Sequence, residues 1–390
     1  MWLFFFYLLL YKRGENMKSV GIICEYNPFH NGHLYHLKKI KEKFPDYKIV
    51  LVLSPTFTQR GEASIINKWD KTKLSLDYGV DLVIELPYPF ACQSADFFAE
   101  GTIKILNYLK VEYLVFGSES NNVELLTSLA DTQLHNQNYD CLVKKYMDNG
   151  NNYPTAMSNA LKEITGDTVT LPNDLLGVSY IKKIIELDSK IKPLTIKRTN
   201  NYHGNNENSN IISAQEIRNK IINKENITKF IPKYDNILFN TNSYFKYLKY
   251  KILIEGKQIN KYQTVEEGIE NRINKFILES NSLEELINKV KTKRYTYNKL
   301  NRMFNHILCG FTKEEANSMK NITYIRVLGF NKNGKEYLNN IKKNIDIPII
   351  TNCKNIDDRM LLLEHRITNI YNLINNINDN EILRKPIIHK

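Results

Sequence analysis

Four short, wholly apolar runs, each followed by a segment with helical spacing, constrain this chain more than any other feature. "SVGIICEY" (19–26) is apolar and β-branched, and "HLYHLKKIKEKF" after it spaces Leu34, Leu37 and Ile40 along one helix face. "YKIVLVLS" (47–54) is a second run, and "NKWDKTKLSLDYG" reads as a helix ending near Gly79. "VDLVIELP" leads to the helix "SADFFAEGTIKILNYLK", and "VEYLVFGSES" is a fourth run. Strands apolar on both faces and separated by helices predict a parallel sheet covered on both sides. The expected fold is therefore α/β, a Rossmann-like, doubly wound parallel sheet.

The alternation then loosens. Residues 120–165 read as helical, "LPNDLLGVSYIKKIIEL" as a further helix and "KPLTIKR" as a fifth strand. "TNNYHGNNENSN" reads as a polar loop. "SAQEIRNKII" is a helix behind a Ser213 N-cap, with Glu216 three residues on completing a capping box. After about residue 230 the strand signal fades, and a domain boundary is expected near 235. Residues 17–235 are the α/β domain; 236–390 are a mainly α-helical, basic domain, interrupted at "ITYIRVLGFNKNGKEYL".

Residues 1–16 stand apart. "MWLFFFYLLL" is about half the length a membrane-crossing helix needs. Its positive charges, Lys12 and Arg13, come after the apolar run, the reverse of a signal peptide. The segment is read as an upstream extension with translation starting at Met17, and a short membrane anchor is the alternative. Five scattered cysteines without a C-x-x-C pair point away from a disulfide framework or a zinc knuckle and toward a reducing cytoplasm. The net charge of +12 suits a polyanionic partner. The Lys-, Asn- and Ile-rich second half explains the same charge as compositional bias.

Ligands of open parallel sheets bind beyond the carboxyl ends of the strands. Four polar clusters fall at that edge: "EYNPFHNGH", "SPTFTQRG", "LPYPFACQSAD" and "GSES". His30 and His33 flank Gly32 where the first strand becomes a helix. There a glycine admits close approach, and a helix start offers free N–H groups to an anion. Imidazoles at that point can bond phosphate oxygens and meet the charge that grows during attack on phosphorus. Helix capping and metal binding are the other readings, and the remaining histidines supply no recognisable ligand set. Neither G-x-G-x-x-G nor a P-loop is present.

"HNGH" resembles the H-x-G-H signature of the nucleotidyltransferase superfamily, and "SAQEIR" resembles its second signature. In order along the chain, "GIICEYNPFHNGHLYH", "QRGEASIINKW", "DLVIELP", "QSADFFA", "FGSE", "LPNDLLGVSY", "IKR" and "ISAQEIR" resemble the bacterial tRNA(Met) cytidine acetate ligase family over most of residues 17–220. "YIRVLGFNKNGKEYL" and "EHRITNIYNL" extend the similarity more weakly.

The resemblance implies a nucleotidyltransferase-type sheet and a two-step reaction. Acetate attacks the α-phosphate of ATP, and the acetyl group then passes to N4 of the wobble cytidine of elongator tRNA(Met). Mg²⁺ is expected with the ATP, and no metal held by the protein. His30, His33, Ser213 and Arg218 are the implied catalytic residues. The implied ATP contacts are Ile23, Cys24, Glu25, Tyr26, Asn27, Pro28, Phe29, His30, Asn31, Gly32, His33, Leu34, Tyr35 and His36, with Gly117, Asn173 and Arg198.

Plainer readings stand beside these. Gly117 is a flat surface for adenine or ribose, or a turn glycine. Asn173 reads a base or ribose edge, or caps a helix. Arg198 and Arg218 pair with phosphates, or are solvated. Lys68 and Asp70 stand beside the acid or the tRNA, or are surface charges. "KYLKYKILIEGK" and "NKVKTKRYTYNKLNRMFNH" mix cations with rings as an RNA surface does, and also as amphipathic helices do. There is one departure from the family pattern: Pro55 and Thr56 replace a Gly-Asn-like pair, which alters the path of the second loop. The rival functions are an adenylyltransferase acting on a small phosphorylated metabolite and a non-catalytic RNA-binding protein.

Overall fold

The computed structural model describes residues 18–198, 210–232, 241–354 and 356–390. The expectations placed on residues 1–17, on the loop at 199–209 and on a boundary near 235 lie outside the described residues.

β1 (Ser19–Cys24), α1 (Asn31–Lys43), β2 (Lys48–Leu53), α2 (Lys68–Asp77) and β3 (Leu82–Glu85) come in the expected order. A short helix α3 (Tyr88–Ala91) precedes α4 (Ala95–Tyr108) and β4 (Tyr113–Ser118). The stretch 120–165 holds α5 (Val123–His135), α6 (Tyr139–Asp148) and α7 (Tyr153–Thr165). α8 (Pro172–Glu186) leads into β5 (Lys192–Lys197), and α9 (Ala214–Ile222) begins at the Ser213–Glu216 capping box. Helices then run on through α10 (Phe245–Glu255), α11 (Ile269–Phe276), α12 (Leu283–Val290), α13 (Tyr297–Cys309) and α14 (Lys313–Ser318). Last come β6 (Ile325–Phe330), α15 (Lys332–Ile341), β7 (Ile349–Ile350), α16 (Arg359–Ile374) and β8 (Ile387–Ile388).

The sheet order is β5-β4-β1-β2-β3-β6-β7, with β8 also on β6. β1 to β5 pair in parallel. The sheet grows from β1 through β2 to β3 on one side and from β4 to β5 on the other. The crevice between the ends of β1 and β4 is thus the switch point where such sheets bind ligands. Alternate residues serve opposite faces. Val50 and Val52 belong to the core under α4, α5, α8 and α16, while Ile49, Leu51 and Leu53 face α1 and α2.

The sheet is mixed rather than wholly parallel. The "ITYIRVLGF" stretch, read as an interruption of a helical domain, is β6, which adds antiparallel to β3. Only the helices between 241 and 309 build a core largely their own, around Leu248, Ile252, Ile273, Leu286 and Phe304. From β6 onward the chain returns to the first sheet.

Charge holds that return in place. Lys68 opens α2 and is not a surface residue: it is 1 % exposed. Its Nζ lies 2.6 Å from Glu85 Oε1 at the end of β3 and 2.7 Å from Glu381 Oε1 near the C-terminus. Arg326 on β6 pairs with Glu85 Oε2 at 3.0 Å and with Glu381 Oε1 at 2.5 Å. Trp69 Nε1 donates to Glu381 Oε2 at 3.1 Å. Burial alone would raise the Glu381 carboxyl, but Lys68 and Arg326 outweigh it and bring it down to about 2. Glu364 on α16, which accepts the Tyr88 N–H at 2.9 Å, is pushed up to about 8 by burial and by Glu85. Burial thus disfavours charge on Glu364, while Glu381 is held in its charged form by Lys68 and Arg326.

Removing one member of a buried ion cluster strands the others without compensation. Arg326→Met is expected to lower the stability to urea by about 3–5 kcal/mol. Breaking the exposed Arg384–Asp379 pair with Arg384→Ala should cost about 1 kcal/mol or less. Equal urea midpoints for the two variants would contradict this assignment.

Candidate functional site

The residues after β1 build the site from helix-end chemistry. His30 is the N-cap of α1: its Nδ1 accepts the Gly32 N–H at 3.0 Å. His33 answers three residues on, its Nδ1 accepting the His30 N–H at 3.2 Å. The capping reading and the phosphate reading are therefore compatible, because capping uses one nitrogen of each ring. The ring centroids lie 3.9 Å apart, and Tyr26 meets His33 edge-on at 4.6 Å. Gly32 has to be small here, since a Cβ would sit 2.7 Å from His30 Cε1.

One expectation fails. The first N–H groups of α1 are not free for an anion: Asn31 N–H donates to the Phe230 carbonyl at 3.0 Å and His33 N–H to the His30 carbonyl at 2.8 Å. The Asn31 side chain also holds the carbonyls of Asn210 and Lys229 at 2.8 and 2.9 Å. The segment after residue 209 thus packs over the helix start and takes up its donors.

The imidazoles remain as donors. Burial, with Arg198 and Arg218 nearby, brings His30 down to about 3. Burial and its neighbours His30, His36 and Arg198 put His33 well below its ordinary value. His36, one turn on, falls to about 4 through burial and Arg198. All three are neutral at pH 7. In His30 and His33 a neutral ring whose Nδ1 accepts must carry its hydrogen on Nε2. The site thus holds two uncharged Nε2–H donors side by side, with two permanently charged guanidinium groups close by.

β4 and α8 supply the other side of the crevice. Gly117 is not a turn glycine: it lies within β4, paired with Ile196, and a Cβ there would only touch Arg198 Cγ at 3.4 Å. Asn173 is not the N-cap of α8, a place taken by Leu171. Its Nδ2 donates to Glu119 Oε1 at 2.5 Å, and its Oδ1 accepts from Arg198 Nη1 at 3.3 Å. Next to it, Asp174 accepts from Ser118 Oγ at 2.5 Å and from the N–H groups of Glu119 and Ser120 at 3.1 and 2.9 Å. "FGSE", "LPND" and "IKR" are thereby locked into one unit.

Arg218 on α9 is not solvated either. Its Nη1 donates to the Asn27 carbonyl at 2.7 Å, and its Nη2 pairs with Glu62 Oε2 at 2.7 Å. Ser213 spends its hydroxyl on the Glu216 N–H at 3.2 Å. The second loop packs against α13: Asn301 Nδ2 donates to the Arg60 carbonyl at 3.0 Å. Gly61 holds φ near +80°, where a Cβ would lie 2.5 Å from the Arg302 nitrogen. Asn301, Arg302 and Asn305, which make this contact, lie within a stretch read as an RNA surface. His306 is fully buried, its Nε2 2.9 Å from the Cys92 carbonyl. Lys246, Tyr250, Lys291, Lys293, Arg294 and Tyr297 remain exposed.

Sequence reasoning passed over Glu62, Glu119 and Asp174, although each sits inside one of the family-like motifs. It also missed Lys71, an ordinary helix lysine by pattern, whose Nζ is buried on the carbonyls of Glu25 and Ser54 at 3.0 and 2.6 Å. Asp70, by contrast, only helps to cap α2 with Asn67. Among the described residues no group of three or more His, Cys, Asp or Glu is set to hold a metal ion. None of the helices among them is long and apolar enough to cross a membrane.

Comparison with known proteins agrees with this geometry. The HIGH Nucleotidyl Transferase family model matches residues 17–385. The tRNA(Met) cytidine acetate ligase of Anoxybacillus flavithermus is 40% identical over 378 residues, covering 91% of this chain and 94% of that protein. The enzyme of the same name from Caldicellulosiruptor saccharolyticus is 42% identical over 344 residues, covering 84% and 86%. The crystal structure of Thermotoga maritima TmcAL bound with alpha-thio ATP superposes with a TM-score of 0.86 at 28% identity, over 95% of this chain and 99% of that one.

A histidine held neutral in the fold costs stability when the unfolded chain can take up a proton and the fold cannot. Stability linked to His36 is complete above pH 6.5 and is lost as pH falls toward 4. In His36→Gln the urea midpoint is expected to fall less between those pH values than in the wild type. Parallel pH profiles would show that His36 does not titrate in this way.

Proposed function

This chain belongs to the HIGH nucleotidyl transferase family and, within it, to the tRNA(Met) cytidine acetate ligases, and on that premise we propose how it works. It activates acetate with ATP and passes the acetyl group to N4 of the wobble cytidine of elongator tRNA(Met). In the first step a carboxylate oxygen of acetate bonds to the α-phosphorus, and the bond to the β-phosphate oxygen breaks. Acetyl-adenylate and pyrophosphate result. In the second step the cytidine N4 attacks the acetyl carbonyl carbon, AMP leaves and N4 loses one proton.

The observation that carries this reading is the pair of neutral imidazoles at the switch point. Donors already in place, aimed where charge develops, need no reorganisation during reaction, and a buried site strengthens them. In this reading Nε2–H of His30 and of His33 meets the non-bridging oxygens of the α-phosphate. Arg198 and Arg218 take the remaining phosphate charge, with Ser213 at the start of α9 beside them. The segment from Ile23 to His36 lies along the nucleotide, with Gly117 flat beside adenine or ribose and Asn173 on a base or ribose edge. Mg²⁺ accompanies ATP and pyrophosphate as their counter-ion, bound through phosphate oxygens. The α/β part carries the ATP chemistry, and the basic face of the helices after residue 240 receives the tRNA in the cytoplasm.

Acetate-dependent exchange of pyrophosphate into ATP, without tRNA, tests the first step. His30→Ala and His33→Ala should each slow it by roughly 10²–10³-fold, the cost of losing one charge-stabilising donor. Exchange that answers instead to another acid or to a phosphorylated metabolite would replace this reading with the adenylyltransferase one.

A further inference from the structure

The loops after β1 and β2 enclose polar side chains whose hydrogen-bonding groups are left unused among the described residues. Ser54 and Thr56 follow the end of β2, in the loop that leads to the Phe57–Ala63 bridge. Ser64 N–H donates to the Thr56 carbonyl at 2.8 Å, beside an antiparallel bridge between Phe57 and Ala63. Residues opposite one another in such a ladder share a face. Ser64 therefore lies beside Thr56, while Phe57 and Ala63 belong to the main core.

Ser54, Thr56 and Ser64 are each 1 % exposed, and none of their hydroxyls has a hydrogen-bond partner among the described residues. Asn27 comes in from β1. Its Oδ1 accepts the Ile65 N–H at 2.9 Å, and its buried Nδ2 has no partner among the described residues. Lys71 reaches the same place from α2, spending two of its hydrogens on the Glu25 and Ser54 carbonyls.

A single buried hydroxyl without a partner is unremarkable; four such groups between two loops are not. The amide NH₂ and the amine can only donate, and each of the three hydroxyls can donate as well as accept. The Glu25 side chain accepts the Gln59 N–H at 2.6 Å. Donors lacking acceptors fit a ligand that only accepts, as a carboxylate does.

We propose that Asn27, Ser54, Thr56, Ser64 and Lys71 form the pocket for the carboxylate of the acid substrate, walled closely enough to favour acetate over longer acids. The proposal rests on the acid-activating function. The pocket shares the Asn27–His30 loop with the paired imidazoles, so a bound carboxylate stands beside the α-phosphate position. Burial brings Lys71 down to about 7, with Glu25 opposing and Lys68 assisting, and an entering anion draws the proton onto it.

Two measurements on the full chain test this. In acetate-dependent ATP–pyrophosphate exchange, Thr56→Val and Ser64→Ala should each raise KM for acetate roughly ten-fold to a hundred-fold, the range for losing a hydrogen bond to a charged group. KM for ATP should change little, because neither side chain is placed against the nucleotide. Ser64→Gly should raise the use of propionate relative to acetate. Direct binding of ¹³C-acetate, followed by NMR, does not depend on turnover and should be weakened in Thr56→Val. Exchange by the wild type with unchanged acetate KM in both variants overturns the pocket and leaves the function standing. Acetate binding that Thr56→Val abolishes, without exchange by the wild type, keeps the pocket and removes the function. Equal acetate binding by wild type and Thr56→Val, or none by the wild type, overturns the pocket.

Discussion

The buried contact of Lys68 and Arg326 with Glu85, Glu364 and Glu381 is the constraint on which the rest of the molecule depends. These residues come from α2, β6, the end of β3, α16 and the C-terminal turn. Hydrophobic burial could bring those elements together in several registers, because apolar contact is non-directional. An ion cluster sealed from water tolerates one arrangement, since any slip leaves a charge without its partner. The cluster thereby fixes how the end of the chain closes on the sheet. It also seats α2, whose next turn carries Lys71 beneath the loops after β1 and β2.

The charge state of the site results from burial and capping together. Because Nδ1 of His30 and of His33 is spent on backbone N–H groups, each ring has one face tied to the helix and one donor left. Guanidinium groups nearby oppose protonation, so positive charge comes from arginines that cannot lose it, and direction comes from imidazoles. In the proposed reaction this division separates holding a triphosphate from meeting the transition state. A pair of imidazolium ions would attract ground-state phosphate as strongly as it helped the reaction.

The second loop joins the parts. Gly61 allows its backbone to lie against α13, and Glu62 reaches Arg218 on α9, which in turn holds the Asn27 carbonyl. Three segments far apart in sequence thus share one short loop. The contacts therefore run from α13 to the loop that leads to His30 without passing through the sheet.

Much of the architecture was legible because it rests on local rules. Apolar runs such as "KIVLVL" (48–53) can only be interior strands, and their alternation with helices implies a parallel sheet and a ligand at its carboxyl edge. The Ser213–Glu216 capping box needs only four residues and was readable directly. The motif positions, from "HNGH" to "ISAQEIR", were visible for the same reason. The tertiary structure decides matters where long-range pairing and burial take over. "IRVLGF" (325–330) looked like a break in a helical domain; its place on β3 depends on partners more than two hundred residues away. Lys68 and Lys71 look like any helix lysines, and only the fold takes both out of water. The free N–H groups expected at the start of α1 are taken up, that of Asn31 by the Phe230 carbonyl and those of Gly32 and His33 by His30. Sequence by itself determined the first five strands, the helices between them and the places of the motifs, since periodicity and helix-end patterns act over a few residues. Charge state, donor direction and closure of the chain belong to the tertiary structure, because desolvation and ion pairing depend on everything that surrounds a group.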